Sequence, residues 1–127
     1  MPDHPPRILL VGHCTPDAYA IRSAVTSLIP GAAVAFVRDQ ASLDEALPNS
    51  HLLLVNRKLD GMFEAKDGVA LIQSLSSRTP APRTMLISNL DDAQAAARSA
   101  GALPGFGKRD LYSDDTKAKL KHALSLT

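Results

Sequence analysis

The sequence predicts an α/β domain with a doubly wound, five-stranded parallel sheet, and two repeated patterns predict it. Five short runs of mainly apolar residues have the character of strands buried on both faces, as in parallel sheets. After each run comes a segment whose apolar residues recur at helical spacing. The repeated order of strand and helix places helices on both faces of one sheet. The 127 residues suit a single domain over 1–127.

Turn and cap signals separate the predicted elements. Strands are predicted over 7–11, 32–37, 51–55, 83–87 and 103–107. The fifth strand is weak because Pro104 and two glycines interrupt it. The predicted helix caps are Thr15, Ser42 in a capping box, Asp91 or Asp92, and Ser113. Residues 1–6 are a polar, Pro-rich tail that we expect to be disordered or extended.

The composition restricts the classes of function. Hydrophobic residues make up 45% of the chain and charged residues 21%, and the formal net charge is +1. This balance gives no electrostatic reason to expect nucleic acid or a membrane as partner. Cys14 is the single cysteine, which excludes an internal disulfide and suits a reducing compartment. We therefore expect a cytoplasmic protein.

Polar residues gather at the predicted carboxyl ends of the strands, where doubly wound folds bind their ligands. Those ends carry Gly12-His13-Cys14, Asn56-Arg57-Lys58, Ser88-Asn89 and Lys108-Arg109. We therefore expect any functional site at this edge of the sheet.

These strand ends resemble the receiver domain of two-component response regulators, the CheY-like superfamily, and the resemblance covers nearly the whole chain. Residues that match the family pattern are Ser88 after the fourth strand, Lys108 after the fifth, Asp67-Gly68 at the third helix and Gly101-Ala102 before the fifth strand. The resemblance implies a flavodoxin-like (βα)5 three-layer sandwich.

The family's acidic positions are not acidic here. Receivers carry an acidic pair after the first strand and a phosphoacceptor Asp after the third, where this sequence has Gly12, His13 and Asn56. The loop after Asn56 is longer than the family's. Arg109 replaces the usual Pro, and Gly105 replaces the aromatic switch residue, with Phe106 expected on the opposite side of the strand.

These departures change the expected chemistry. Phosphoryl transfer to aspartate needs a nucleophilic carboxylate, and Mg²⁺ prefers carboxylate and water ligands. We therefore expect no Mg²⁺ binding, no other cofactor and no catalysis. The pocket would contain Lys108, with Arg57 at its rim and no acid. Lys108 would then bond the carbonyl oxygen of Asn56 or accept an anion.

Several residues allow a structural as well as a functional interpretation. Asn56 either recognises a ligand or caps the third strand, and Ser88 either lines a site or satisfies a strand-end backbone group. Lys108 binds an anion or pairs with Asp60 or Asp110. The loop over 57–66, which contains Met62 and Phe63, either contacts a partner or covers the pocket.

His13 and Cys14, with His4, allow two further hypotheses that the sequence disfavours. Imidazole and thiolate bind zinc, but no paired spacing accompanies these residues, so we expect no metal site. A thiol nucleophile at a helix N-terminus would be activated, but no third orienting residue can be named.

We expect a stand-alone pseudo-receiver that acts as a phosphorylation-independent protein–protein interaction module. Its partner would be a histidine kinase, an effector or a second copy, bound through the fourth helix, fifth strand and last helix. Candidate contacts on this surface are Ala96, Ala100, Leu111, Tyr112 and the lysines of the last helix.

Two alternatives stay open. One is a sensor of a small anionic ligand, either a phosphometabolite or a nucleotide. Its possible anion contacts, which are also possible partner contacts, are Arg57, Lys58, Arg109 and Tyr112. The other is a true phosphoacceptor at a different residue, such as Asp60.

Overall fold

The computed structural model describes residues 5–125, which form five strands and five helices in strict alternation. The strands are β1 (Arg7–Val11), β2 (Ala33–Val37), β3 (Leu52–Asn56), β4 (Thr84–Ile87) and β5 (Leu103–Phe106). The helices are α1 (Thr15–Leu28), α2 (Gln40–Ala46), α3 (Gly68–Ser76), α4 (Asp91–Ser99) and α5 (Asp114–Ala123). Two short 3₁₀ turns, Leu47–Asn49 and Lys108–Asp110, follow α2 and β5.

All five strands are parallel and lie in the order β2-β1-β3-β4-β5. The predicted doubly wound sheet is therefore confirmed. The predicted strand bounds agree with the structure to within one residue at each end. β1 and β3 occupy the middle of the sheet, and Leu52–Val55 of β3 are fully buried. This explains why the runs over 7–11 and 51–55 are continuously apolar.

Two apolar layers hold the helices against the sheet. On one face, Ile21 of α1 and Leu120 of α5 pack with Leu54 and other strand residues. On the other face, Leu43 of α2, Leu71 and Ile72 of α3, and Ala97 of α4 pack with the alternate strand residues. The carboxyl ends of all five strands consequently meet at one edge, between the two helical layers.

Three predicted helix caps were wrong, and two of them show why caps are hard to place from sequence. α2 begins earlier than the capping box implies, because the Asp39 carboxylate accepts the backbone N–H of Ser42 at 2.7 Å. Ser42 therefore lies inside the helix. α4 has Leu90 as its N-cap, which offers no side-chain acceptor, and Asp91 is already helical. Thr15 is likewise the first helical residue, after Cys14 as the N-cap.

The remaining cap predictions and the tail have different outcomes. Ser113 accepts the Thr116 N–H at 3.1 Å and caps α5, as predicted. Of the predicted tail over 1–6, residues 1–4 lie outside the described part of the chain, and Pro6 accepts the Ala33 N–H at 2.8 Å. No helix within residues 5–125 has the length and apolar character needed to cross a membrane.

Candidate functional site

The structure brings three of the five predicted pocket residues to one cleft. Asn56, Ser88 and Lys108 line a cavity of about 360 Å³ at the ends of β3, β4 and β5. The other residues that line it are Arg57, Lys58, Ile87, Asn89, Leu90 and Arg109. Gly12 and His13 are buried at the end of β1 and do not line this cleft. Tyr112, which is 61% exposed, also lies outside it.

The side-chain nitrogen of Asn56 is bonded to two backbone groups. Its Nδ2 donates to the carbonyl oxygen of Gly12 at 3.1 Å and to that of Lys58 at 2.7 Å. One bond joins the ends of β3 and β1, and the other fixes the start of the loop that follows β3. Asn56 therefore has the structural role that the sequence left open beside ligand recognition.

The long loop after β3 crosses the ends of β1 and β2. Asp60 donates its N–H to the Gly12 carbonyl at 2.8 Å, and Met62 donates to Arg38 at 2.9 Å. Leu59 and Phe63 pack on the core between the sheet and α2 and α3, whereas Met62 is 80% exposed. One interpretation of the sequence was that this loop covers the predicted pocket. The loop is indeed a cover, and the part of the sheet that it covers is the ends of β1 and β2.

Leu59 occupies the space beside Gly12. A Cβ on Gly12 would lie 2.7 Å from Leu59 Cδ2, and the φ of Gly12 is +75°. A larger residue at position 12 would have to shift the Leu59 side chain, and the Leu59 Cα would lie only 3.1 Å from the added Cβ. In receivers this position belongs to the acidic pair, so the fold leaves little room here for a carboxylate that binds a cation.

Lys108 forms an ion pair with Asp17 in the first turn of α1. The expectations that Lys108 bonds Asn56, or pairs with Asp60 or Asp110, were therefore wrong. The expectation of no acid near this lysine was also wrong, because the first turn of α1 brings a carboxylate to the end of β5. The hydrogen bond from Lys108 lowers the pKa of Asp17 below its usual value. Asp60 pairs instead with Arg38 at 3.2 Å.

His13 is buried in an unusual hydrogen-bonding state. It is 2% exposed, and its Nε2 donates to the Leu54 carbonyl oxygen at 2.9 Å. Because a carbonyl can only accept, Nε2 holds the proton and Nδ1 is a bare acceptor. Nδ1 is buried without a hydrogen-bond partner among residues 5–125. Burial lowers the pKa of His13 from 6.5 to about 4, so the ring is neutral near pH 7.

The metal hypothesis for His13 and Cys14 receives no geometric support. Within the described residues, no three His, Cys, Asp or Glu side chains are placed to hold a metal ion. His4, which the hypothesis included, lies outside the described residues. The three strand-end positions Gly12, His13 and Asn56 carry no carboxylate, so this donor set does not fit Mg²⁺.

Sequence reasoning missed Gln94, which joins α4 to the ends of β4 and β5. Its Nε2 donates to the carbonyl oxygens of Leu86 at 2.9 Å, Ser88 at 3.0 Å and Phe106 at 3.4 Å. Its Oε1 would lie 2.8 Å from a Cβ on Gly105. Two features of the sequence could have indicated this role. Gln94 is a polar residue within an Ala-rich helix, and Gly105 occupies the switch position opposite it.

Other contacts fix the remaining residues of this region. Ser88 Oγ accepts the Leu90 N–H at 3.1 Å, which satisfies a strand-end backbone group. Lys119 of α5 donates to the Gly105 carbonyl at 2.9 Å. Phe106 is 4% exposed and packs with the α1 and α5 layer, on the side of β5 away from Gln94. Side chains of α4 and α5 therefore hydrogen-bond directly to β5 and to the end of β4, and these bonds hold the three elements together.

Comparison with known proteins gives a likeness of fold. The signal receiver domain of a DNA-binding response regulator from Colwellia psychrerythraea 34H has a TM-score of 0.73 and 17% identity, covering 94% of this chain and 98% of that chain. A response regulator from Thermotoga maritima gives 0.73 and 18%, over 95% and 98%. An orphan response regulator of H. pylori gives 0.70 and 14%, over 97% and 99%.

These likenesses identify the class of fold. The chain has the CheY-like receiver fold, which is the flavodoxin-like sandwich that the resemblance implied. No protein-family model matches the sequence, and no curated protein matches it significantly.

The close contact between Leu59 and Gly12 can be tested with a matched pair of glycine substitutions. Gly31 also has a positive φ, +89°, but a Cβ there meets nothing within 4 Å. We expect Gly31→Ala to cost roughly 1–2 kcal/mol of unfolding free energy, from backbone strain alone. Gly12→Ala should cost about 1–3 kcal/mol more, because it also displaces Leu59. Urea denaturation measures both, and equal costs would show that the loop does not rest on Gly12.

Protonation of His13 should make the protein less stable in mild acid. Because the pKa is lowered from 6.5 to about 4, the unfolded chain gains a proton in this range that the folded chain does not. The free energy of unfolding should fall by roughly 3 kcal/mol as the pH drops from 6.5 to 4, and this part of the fall should stop below that. His13→Gln, which keeps a donor for Leu54, should remove this slope.

The control for this experiment is His122→Gln, since His122 is exposed on α5. The readout is the difference in pH slope between each variant and the original chain, because the carboxylates contribute equally to all three. A slope that His13→Gln leaves unchanged contradicts the assignment of a neutral, buried His13.

Proposed function

We propose that the chain is a pseudo-receiver, a cytoplasmic and non-enzymatic module of two-component-type signalling that binds another protein independently of phosphorylation. The observation that carries the proposal is the pair of hydrogen bonds from Asn56 Nδ2 to Gly12 and Lys58. A carboxylate at position 56 could not donate either bond, and its oxygens would face two carbonyl oxygens. The loop geometry therefore opposes a phosphoacceptor at this position.

The surroundings of Asn56 support the same conclusion. Gly12 and His13 offer no carboxylate, and Leu59 fills the space beside Gly12. Lys108, which matches the lysine of the receiver pattern, is paired with Asp17. We therefore propose that no aspartyl phosphate forms and that Mg²⁺ is not bound at the strand ends.

The surface of α4, β5 and α5, hereafter the α4–β5–α5 face, is the proposed contact surface. Gln94 bonds carbonyls of both β4 and β5, and Lys119 bonds the carbonyl of Gly105. Gly105 provides no aromatic side chain that could change orientation. The partner would thus meet one preformed surface, and we propose a histidine kinase, an effector or a second copy as that partner.

The absence of phosphorylation can be tested by intact mass measurement after incubation with acetyl phosphate and MgCl₂. We expect no added phosphoryl group on the original chain, because no described strand end presents a nucleophilic carboxylate beside metal ligands. We expect none on Asn56→Asp either, since Gly12 and His13 are unchanged. A phosphoryl group on the original chain, at Asp60 or elsewhere, overturns the proposal. One on Asn56→Asp alone overturns both the argument from the loop geometry at position 56 and the argument about Mg²⁺.

The contact surface can be tested by photo-crosslinking from the two exposed tyrosines. Tyr112 follows β5 and is 61% exposed, whereas Tyr19 on α1 packs against β2 at the opposite edge of the sheet and is 50% exposed. A photoreactive phenylalanine at position 112 should give a crosslinked product in the native cell of this protein. The same residue at position 19 should give none. Crosslinking from position 19 alone would place the contact surface elsewhere.

A further inference from the structure

The cleft at the ends of β3, β4 and β5 concentrates positive charge. All the charged residues that line it are cations, namely Arg57, Lys58, Lys108 and Arg109, and its volume is about 360 Å³. The chain as a whole has a net charge of +1, so this concentration is local. A small concave site with one sign of charge attracts small ions of the opposite sign without making the whole surface basic.

Three of these cations lack a compensating carboxylate. Lys108 is paired with Asp17, but Arg57, Lys58 and Arg109 form no salt bridge with any residue between 5 and 125. Their mutual repulsion is relieved when an anion enters the cleft. Asp91 and Asp92 in the first turn of α4, and Asp110 beside Arg109, are exposed and do not line the cleft.

The cleft also offers uncharged donors. Ser88 Oγ accepts the Leu90 N–H, which leaves the hydroxyl proton free to be donated to a ligand. Leu90, the N-cap of α4, lines the cleft and provides no side-chain acceptor for the first amides of that helix. The first N–H groups of this nine-residue helix therefore have no side-chain cap, and the helix begins next to a residue that lines the cleft.

We infer that this cleft binds the phosphate group of a small phosphate monoester. Guanidinium groups form paired hydrogen bonds with phosphate oxygens, and Ser88 and Lys58 add single donors. The volume lies in the lower part of the range for small-molecule sites. Binding would be noncovalent and would involve Arg57, Lys58 and Arg109, which lie outside the residues that match the receiver pattern.

The test is an NMR titration of the ¹⁵N-labelled full chain at constant ionic strength. Ribose 5-phosphate is the probe, with ribose, inorganic phosphate and sodium chloride as comparators. We expect saturable shifts of the Ser88, Asn89, Leu90 and Arg109 amides with ribose 5-phosphate and none with ribose or sodium chloride. Similar affinity for inorganic phosphate would identify the phosphate group as the whole ligand, whereas weaker binding would show that the ester also contributes.

A charge-matched pair of double variants separates the cleft from the general charge of the surface. Arg57→Ala with Lys58→Ala should weaken ribose 5-phosphate binding at least about tenfold. Arg98→Ala with Lys117→Ala removes the same two residue types at exposed positions outside the cleft, and should leave the affinity unchanged. The amide spectrum of each variant without ligand establishes that it is folded.

Four results would overturn the inference. Three of them are the absence of saturable shifts with both phosphates, an equal loss of affinity in the two double variants, and an equal response to sodium chloride, which would mean an adventitious ion only. A hexaglutamate peptide that binds more tightly than either phosphate, with the same dependence on Arg57 and Lys58, would instead assign the cleft to an acidic protein segment. None of these results bears on the crosslinking or mass measurements, so the proposed function is judged separately.

Discussion

The amide of Asn56 is the constraint on which the top of this sheet depends. Its two N–H bonds point at the carbonyl oxygens of Gly12 and Lys58, and only a donor can sit between two acceptors. The loop that follows Asn56 then continues over β1, where the Asp60 N–H bonds the Gly12 carbonyl oxygen and Leu59 fills the space beside Gly12. A carboxylate at position 56, which can only accept hydrogen bonds, could form neither of these two bonds. The observed path of the loop therefore depends on a hydrogen-bond donor at position 56.

The pairing of Lys108 with Asp17 is related to the absence of carboxylates at the neighbouring strand ends. With no carboxylate at the ends of β1 or β3, the ammonium group takes the acid that the first turn of α1 offers. Both side chains are 37% exposed, so water screens the pair and its contribution to stability is modest. Its main consequence is positional, because it joins the start of α1 to the end of β5. The remaining cations of the cleft keep their charge uncompensated within residues 5–125.

The sequence was sufficient for the sheet and insufficient for the site. Continuous apolar runs such as 51–55 predict buried parallel strands, because burial on both faces leaves no other pattern. Asp17 looked like an ordinary acid in the first turn of a helix, and its partner lies 91 residues away. Asp39 displaced Ser42 as the cap because two candidate acceptors lay within one turn. Such choices depend on side-chain geometry across elements, which spacing along one chain does not encode.

Ser88 connects the cleft to the α4–β5–α5 face. Ser88 lines the cleft, its hydroxyl oxygen accepts the Leu90 N–H, and its carbonyl oxygen accepts a hydrogen bond from the Gln94 side chain of α4. A ligand in the cleft would thus touch the strand end that anchors α4. Contact alone does not make a switch, since a ligand shifts a conformational equilibrium only by its differential affinity for two states. Gln94 and Lys119 hold the face in one arrangement, so a bound anion would stabilise that arrangement by mass action. A partner that binds this face, as proposed above, would meet the same surface with or without the anion.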